Sequence, residues 1–267
     1  EDELPLLEEV SLLQFISAGI DFVPLGAMPP KLTVACNGGG YAEPMAEHCM
    51  AMVLAAAKRL SIEHANLKAG EFNQFVPNRL LRGGTALIVG FGGIGIACAR
   101  LLRAFGMNIF ATNRSATSEE PTDWLSTNDD LLPMLEQADV IVLSAPLTPT
   151  TEGLIGSREL SVAKDEAILV NLARGEIVHE LALYDHLVAH PQFIACIDAW
   201  WIEPVRHGEF RMRKPFLDLE NVIASPHNSA TVGSWRAVAL SRAVTNACRV
   251  FDGEAPLHVV GLQDRML

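Results

Sequence analysis

Residues 90–95 read Gly-Phe-Gly-Gly-Ile-Gly, a G-x-G-x-x-G hexapeptide set between the apolar run Thr85–Val89 and the helix-forming segment Ile94–Phe105. Such a turn makes specific physical demands. Gly90 permits the tight reversal, Gly92 lets backbone amides approach a pyrophosphate, and Gly95 lets the helix lie close against the strand. Gly93 and Ile94 open the helix, whose N-terminus carries partial positive charge. A glycine-rich turn without a ligand is the plain alternative, but a strand before the pattern and a helix after it point to a dinucleotide.

The rest of the chain alternates in the same sense. Met107–Ala111 is a second apolar run ahead of the polar stretch Thr112–Asp123. Val140–Ser144, Ala167–Asn171, Phe193–Asp198 and Val222–Ser225 read as strands, with helices at Ser157–Val162 and Glu180–His190 between them. Strands alternating with helices predict an α/β fold with a doubly wound parallel sheet. Ahead of it, Ala42–Leu60 is rich in Ala, Met, Leu and Glu with Pro44 in its first turn, which predicts one long, mostly buried helix, and Ser61–Gly70 is open to continuing it. Glu71–Gly84 mixes Asn, Pro and Gly and reads as a connector, with a domain boundary near residue 79. Ser234–Phe251 predicts a second long helix that returns to the first domain, and Leu257–Val260 is a candidate edge strand. Residues 1–78 with 232–267 are thus expected to form a smaller domain, and 79–231 the dinucleotide-binding domain.

Twenty Lys and Arg stand against thirty-two Asp and Glu, a formal charge of −12. An acidic surface repels a phosphate backbone or an anionic bilayer, so no nucleic acid and no membrane partner is expected. Cys36, Cys49, Cys98, Cys196 and Cys248 are odd in number and scattered among mostly apolar neighbours, which predicts buried thiols, neither a disulfide framework nor a zinc or other metal site. The start Glu1-Asp2-Glu3-Leu4 lacks the basic and apolar regions of a signal peptide, and runs such as Met50–Ala57 fall short of the ~20 residues that cross a bilayer. A cytoplasmic location is expected.

At the adenosine end, an NAD site usually carries Asp or Glu about twenty residues beyond the glycines. Here Thr112-Asn113-Arg114-Ser115 occupies that place. Asn113 and Ser115 are neutral, and the Arg114 guanidinium suits a 2′-phosphate that a carboxylate would repel. NADP is therefore expected to be preferred, with NAD the alternative if Arg114 only stacks on the adenine.

Four further segments extend the pattern: Ala145-Pro146-Leu147-Thr148-Pro149-Thr150-Thr151-Glu152-Gly153-Leu154-Ile155, Asn171-Leu172-Ala173-Arg174-Gly175-Glu176, Asp198-Ala199-Trp200-Trp201-Ile202-Glu203-Pro204, and Ser225-Pro226-His227-Asn228-Ser229-Ala230. With the glycine turn they make the chain resemble the D-isomer-specific 2-hydroxyacid dehydrogenase family, in particular its glyoxylate and hydroxypyruvate reductases. The resemblance implies a Rossmann cofactor domain, a smaller flavodoxin-like substrate domain, and a homodimer formed through the cofactor domain. It also implies that Ala145, Pro146, Thr151 and Ala173 lie beside the cofactor and that Asp198 holds the nicotinamide carboxamide. The backbone amides of Ala18 and Gly19, in Ser17-Ala18-Gly19-Ile20-Asp21, would share the substrate carboxylate with Arg174.

The same resemblance implies a catalytic set of Arg174, Glu203 and His227, and the residue types suit the chemistry. Reducing a small 2-oxo acid to its D-2-hydroxy acid needs a cation on the carboxylate, a proton donor at the developing alkoxide and a hydride donor opposite. Arg174 is the expected clamp, His227 the acid/base, and Glu203 the group that orients the imidazole. Taken singly, Arg174 is equally a partner for Glu176, Glu203 a turn residue before Pro204, and His227 a loop residue. All three follow consecutive strands, where an open α/β sheet binds ligands. His48, His179, His186 and His190 fall in or beside helical segments and receive no chemistry. The rival from another class is a non-catalytic dinucleotide sensor or corepressor-like protein.

Two departures from the family pattern qualify the likeness. Family members begin with a further βαβ portion ahead of the segment matching Leu7–Val23, so the substrate domain is expected to be truncated at its N-terminus. The segment between Glu203 and His227 is enlarged and basic, with Arg206, His207, Arg211, Arg213 and Lys214. It is open to covering an acidic substrate, packing on a second subunit, or simply being solvated.

Overall fold

The computed structural model describes residues 4–264, so the reading of Glu1–Glu3 lies outside the described residues. In chain order the strands are β1 (Leu12–Gln14), β2 (Thr33–Ala35), β3 (Thr85–Val89), β4 (Asn108–Thr112), β5 (Trp124–Ser126), β6 (Val140–Leu143), β7 (Ile168–Asn171), β8 (Ile194–Ile197) and β9 (Val222–Ala224). The α-helices are α1 (Ala42–Ala57), α2 (Leu60–Lys68), α3 (Gly93–Ala104), α4 (Leu131–Leu135), α5 (Ser157–Val162), α6 (Glu180–Ala189), α7 (Pro204–His207) and α8 (Trp235–Phe251). They fall into two compact units, one of Glu1–Tyr41, Pro146–Glu152 and Thr231–Leu267, the other of Ala42–Ala145 and Gly153–Ala230.

The larger unit is built on a seven-stranded sheet of order β5-β4-β3-β6-β7-β8-β9, parallel throughout. Strand order steps outward from β3 in both directions, the doubly wound arrangement. Every residue of β6, β7 and β8 is buried, which is why these strands read as unbroken apolar runs instead of alternating ones. Register places Thr112, Val89, Leu143, Asn171, Ile197 and Ala224 side by side across the sheet. The residues that follow this line, among them Asn113, Gly90, Asp198 and Ser225, therefore emerge along one carboxyl edge. That edge, with β3 at the point where strand order reverses, is where an open α/β sheet opens a crevice.

Helix α1 packs on α3, β7 and β8 within this unit. Its buried face is made of Ala46, Cys49, Met50, Val53, Ala56 and Ala57, small or adaptable side chains that allow close approach. The boundary read near residue 79 falls inside the unit, between α2 and β3, and α1, read with the smaller domain, belongs to the larger one. Cys49, Cys98 and Cys196 are wholly buried. The Cys98 thiol and burial push the Cys49 thiol well up, and burial raises Cys196, so neither is a ready nucleophile.

Three expectations change. The long helix stops at Ala57, where Lys58 and a left-handed Arg59 (φ 53°) separate it from α2. The segment after Thr112 contributes the edge strand β5 and then α4, whose Leu131, Met134 and Leu135 are buried. Leu257–Val260 is no strand: only Val259 makes an antiparallel bridge, to Ala35, because His258 takes a left-handed φ of 54° that breaks the extended run.

In the smaller unit, β1 and β2 form a parallel pair over a core of Ile20, Leu25, Met28, Leu32 and Val34. Buried amides tie it together. Asn246 on α8 donates to Gln14 Oε1 at 2.7 Å and to the Leu257 carbonyl at 2.9 Å, and accepts from Leu257 N–H at 2.7 Å. Asn37 donates to the carbonyls of Ile16 (3.0 Å) and Ala239 (2.8 Å). No described helix is long and apolar enough to cross a membrane.

Candidate active site

The glycine turn sits at the carboxyl end of β3. Gly90 has φ 98°, and a Cβ there would run into the backbone of Ala145. Any other residue would push β3 and β6 apart at this point. A Cβ on Gly95 would meet the Gly90 carbonyl and Ile88, so only glycine lets α3 lie this close to β3. Over Gly92, the residue before α3, there is open space: nothing lies within 4 Å of a built Cβ. Gly90 and Phe91 N–H donate to the Thr112 carbonyl at 3.0 and 2.9 Å, and Ser144 Oγ donates to the Gly90 carbonyl at 2.8 Å. The loop is thus braced from β4 and β6 while its amides at Gly93 and Ile94 open the helix. Thr112, which pairs with Val89 across the sheet, has a buried Oγ1 with no hydrogen-bond partner. A braced turn, a helix N-terminus and an open space before it fit a dinucleotide pyrophosphate.

After β4, Asn113 shapes its own turn. Its side chain donates to the Thr117 carbonyl at 2.8 Å and accepts from Ser115 N–H at 3.1 Å, and Ser115 Oγ lies 2.8 Å from Thr117 Oγ1. The pattern is an Asx turn, and it presents Arg114 at the tip.

Asn171, at the end of β7, frames the arginine segment: it accepts from Ala173 N–H at 3.0 Å and donates to the Arg174 carbonyl at 2.8 Å. Arg174 Nη1 donates to the Ala173 carbonyl at 2.7 Å. Gly175 is buried under the Trp200–Trp201 backbone, with no room for a Cβ.

Glu203 and His227 meet. Both Glu203 oxygens face His227 Nδ1, at 2.9 and 2.8 Å, and Glu203 Oε1 accepts from Trp200 N–H at 2.6 Å. Burial works to raise the Glu203 carboxyl. The His227 and Trp200 hydrogen bonds and the charges of His227 and Arg174 outweigh it, and the group lies below the usual carboxylate range. His207 Nδ1 accepts from Glu203 N–H at 3.0 Å, closing the first turn of α7. His227 itself is left-handed, φ 50°. Asp198, fully buried at the end of β8, holds it there: the Asp198 carbonyl accepts from His227 N–H at 2.9 Å. The Asp198 carboxylate accepts from Ser225 Oγ at 2.5 Å, Asn228 N–H at 3.1 Å and Ser229 N–H at 3.3 Å.

Pro146 and Thr151 belong to the smaller unit, where Thr151 Oγ1 donates to the Pro146 carbonyl at 2.7 Å. Ala18 and Gly19 follow β1 in that unit, beside Ser17, whose carbonyl accepts from Asn37 N–H at 2.9 Å. Arg206 and Arg213 tie the enlarged basic segment to Glu176 and Glu180 inside the larger unit. Arg206 pairs with Glu176 at 2.7 Å, Arg211 with Glu209 at 3.3 Å and Arg213 with Glu180 at 3.4 Å, and Lys214 lies 5.5 Å from the Tyr184 ring centre. Trp201 stacks on Phe216, and Phe210 packs edge-on to Trp200. One residue that received no chemistry from the sequence also reaches this edge: His48 on α1, with Nε2 at 3.0 Å from Ser225 Oγ. No periodic or spacing signal marks it.

The comparisons with known proteins agree with this architecture. The chain is 30% identical over 264 residues to a D-3-phosphoglycerate dehydrogenase of Methanocaldococcus jannaschii, a match that takes in 98% of this chain but 49% of that one. It therefore spans about half the length of that relative. It is 31% identical over 216 residues to a hydroxypyruvate reductase of Thermotoga maritima, covering 80% of this chain and 68% of that one. Among solved structures, a D-isomer specific 2-hydroxyacid dehydrogenase from Xanthobacter autotrophicus Py2 in complex with NADPH and MES superimposes with a TM-score of 0.83 at 25% identity, covering 97% of this chain and 80% of that one. The family profile described as D-isomer specific 2-hydroxyacid dehydrogenase, NAD binding domain, matches residues 50–229, more than half of the sequence. The chain belongs to the D-isomer specific 2-hydroxyacid dehydrogenase family.

Proposed function

We propose that the protein is an NAD(P)-dependent oxidoreductase that interconverts a small 2-oxo acid, glyoxylate or hydroxypyruvate first, and the corresponding hydroxy acid, D-configured where the product is chiral. The observation that carries this reading is the Glu203–His227 pair, with both carboxylate oxygens on Nδ1 and the charge of Arg174 acting on the same carboxylate.

Bound at Gly90–Gly95, with Ala145, Ala173 and Asp198 along the same sheet edge, the nicotinamide cofactor supplies the hydride. The chain's own residues do the rest. Arg174 holds the substrate carboxylate. Glu203, fixed on Nδ1, sets the ring so that Nε2 faces the substrate. His227 Nε2 gives its proton to the oxygen of the 2-oxo group as that oxygen gains charge, and in oxidation takes it back. The family resemblance assigns Pro146 and Thr151 to the cofactor and the Ala18 and Gly19 amides to the substrate carboxylate; these residues lie in the smaller unit, read as a flavodoxin-like substrate domain. The engagement of Arg206 with Glu176 at 2.7 Å, the sequestered pair of this segment, favours a small acid over a phosphorylated one. The exposed apolar side chains of Leu67, Phe72, Phe75 and Leu80 support a homodimer.

The test is loss of reduced-nicotinamide absorbance with glyoxylate and hydroxypyruvate, NADPH and NADH side by side, on wild type and His227→Ala. Turnover that disappears in the variant while nucleotide binding persists is expected. Tight NADPH binding without turnover in wild type overturns the enzyme reading in favour of a nucleotide sensor.

A further inference from the structure

Between α1 and the loop that carries His227 runs a short chain of hydrogen bonds: His48 Nε2 to Ser225 Oγ at 3.0 Å, and Ser225 Oγ to Asp198 Oδ1 at 2.5 Å. Its polarity can be worked out. The Asp198 carboxylate is an acceptor of two backbone N–H groups as well, so the Ser225 hydroxyl donates to it. That spends the only proton on Ser225 Oγ, and His48 must therefore donate from Nε2. His48 Nε2 lies 3.8 Å from Asp198 Oδ1, so the donor also sits within reach of the carboxylate charge.

The consequence falls on His227. Its backbone is left-handed, φ 50°, a region that non-glycine residues occupy only when their surroundings hold them there. What holds it is Asp198, through its carbonyl on His227 N–H and its carboxylate on the next two amides. Asp198 in turn is completely buried, and a buried carboxylate keeps one orientation only while its donors are fixed. Ser225 is a rotor with three staggered positions, and its Oγ is held from two sides, by Asp198 at 2.5 Å and by His48 at 3.0 Å.

We propose that His48 is a positioning residue for His227, acting through Ser225 and Asp198 from a helix outside the motifs that carry the chemistry. This rests on His227 being the acid/base of the reaction proposed above.

The test uses the full chain as wild type, H48F, H48Q, S225A and H48F/S225A. Phe keeps the ring without the donor, whereas Gln restores a nitrogen donor. Hydroxypyruvate reduction with NADPH, Tm, and hydrogen exchange of the Asn228 and Ser229 amides are measured for each. H48F is expected to lower kcat roughly ten- to a hundredfold, the scale of a sub-ångström misplacement of an acid/base, with KM for the 2-oxo acid little changed. Its Asn228 and Ser229 amides exchange faster, H48Q recovers most of both losses, and the double variant is no worse than the more impaired single variant because both break one chain. Wild-type kcat and exchange in H48F, an H48Q as impaired as H48F, or additive losses in the double variant overturn the proposal. If H48F does not fold, S225A breaks the same chain at its middle link and is judged by the same criteria. If wild type reduces no 2-oxo acid, the functional reading fails by itself. The exchange data still decide the positioning: faster exchange in H48F, restored in H48Q, supports it, and equal exchange in all variants overturns it.

Discussion

Glu203 faces His227 with both carboxylate oxygens, 2.9 and 2.8 Å from the same imidazole nitrogen. Centring one donor between two acceptors fixes the ring in its plane and assigns the Nδ1 proton to the Glu203 side. The N–H of Trp200 fixes the carboxylate in turn, at 2.6 Å. Three residues from two loops, after β8 and after β9, thus form one rigid piece.

Replacing Glu203 by Gln keeps the shape and removes the charge. One oxygen becomes an NH2 group that cannot accept from Nδ1, so one of the two contacts to His227 and the charge behind both are lost. The expected result is a fall in kcat of about 10²- to 10³-fold, within the range that general acid–base groups contribute, with NADPH affinity by fluorescence unchanged. The carboxyl is held below its usual range, so its contribution to stability is present above the ordinary carboxylate pKa and lost as pH falls through the lowered one. E203Q should remove that part of the acid dependence of Tm.

Gly175 couples the arginine segment to the Trp200–Glu203 loop by lying directly under the Trp200–Trp201 peptide. In Gly175→Ala, Cβ has to displace backbone on both sides. A loss of about 1–3 kcal/mol is expected from overpacking, read as a lower denaturation midpoint. Turnover should fall further than stability alone requires, because Arg174 and Glu203 stand on the two segments forced apart.

Arg114, at the tip of the Asn113 turn, tests cofactor choice. Arg114→Gln removes a guanidinium and leaves the turn bonds of Asn113 and Ser115 in place. A charge-assisted hydrogen bond is worth about 1.5–3 kcal/mol, so KM for NADPH should rise roughly ten- to hundredfold while KM for NADH stays within error. Equal changes for both cofactors would remove the case for NADP preference.

His186 sets an acid limit to stability. Burial, then the neighbouring His190, lowers its pKa from 6.5 to about 4, and its Nε2 is buried with no hydrogen-bond partner. Above the unfolded value both states are neutral and pH has no effect through this group. Between there and about 4 the unfolded chain takes up a proton that the folded chain refuses, so stability declines as pH falls. A His186→Phe variant should show a flatter decline of Tm across that window, measured against wild type in the same buffers.

The parts of the fold visible in the sequence are those written in local pattern. Buried parallel strands such as β6 and β7 announce themselves as short runs of Val, Ile and Leu, and the glycine turn by backbone geometry that side chains forbid. Arg174, Glu203 and His227 stand in separate motifs, and chemistry singled them out before any distance was known. The edge strand β5 escaped notice because three residues carry no period, and it exists only because β4 offers Phe110, Ala111 and Thr112 as partners. Helix α1 was legible as a helix but not as part of the larger unit, since a run rich in Ala and Met says that a helix is mostly buried and not against what.

By itself, then, the sequence determined the alternation of strand and helix, the dinucleotide turn, and which residues could clamp a carboxylate and move a proton. These depend on the preferences of a few neighbouring residues. Tertiary structure alone decided which polar groups meet: His48 with Ser225, 177 positions apart, Asn246 with Leu257 where a strand was expected, and the basic residues after Glu203 with Glu176 and Glu180. A hydrogen bond or ion pair between distant segments leaves no periodic trace along the chain, because its partners are brought together by the packing of the sheet and helices that carry them.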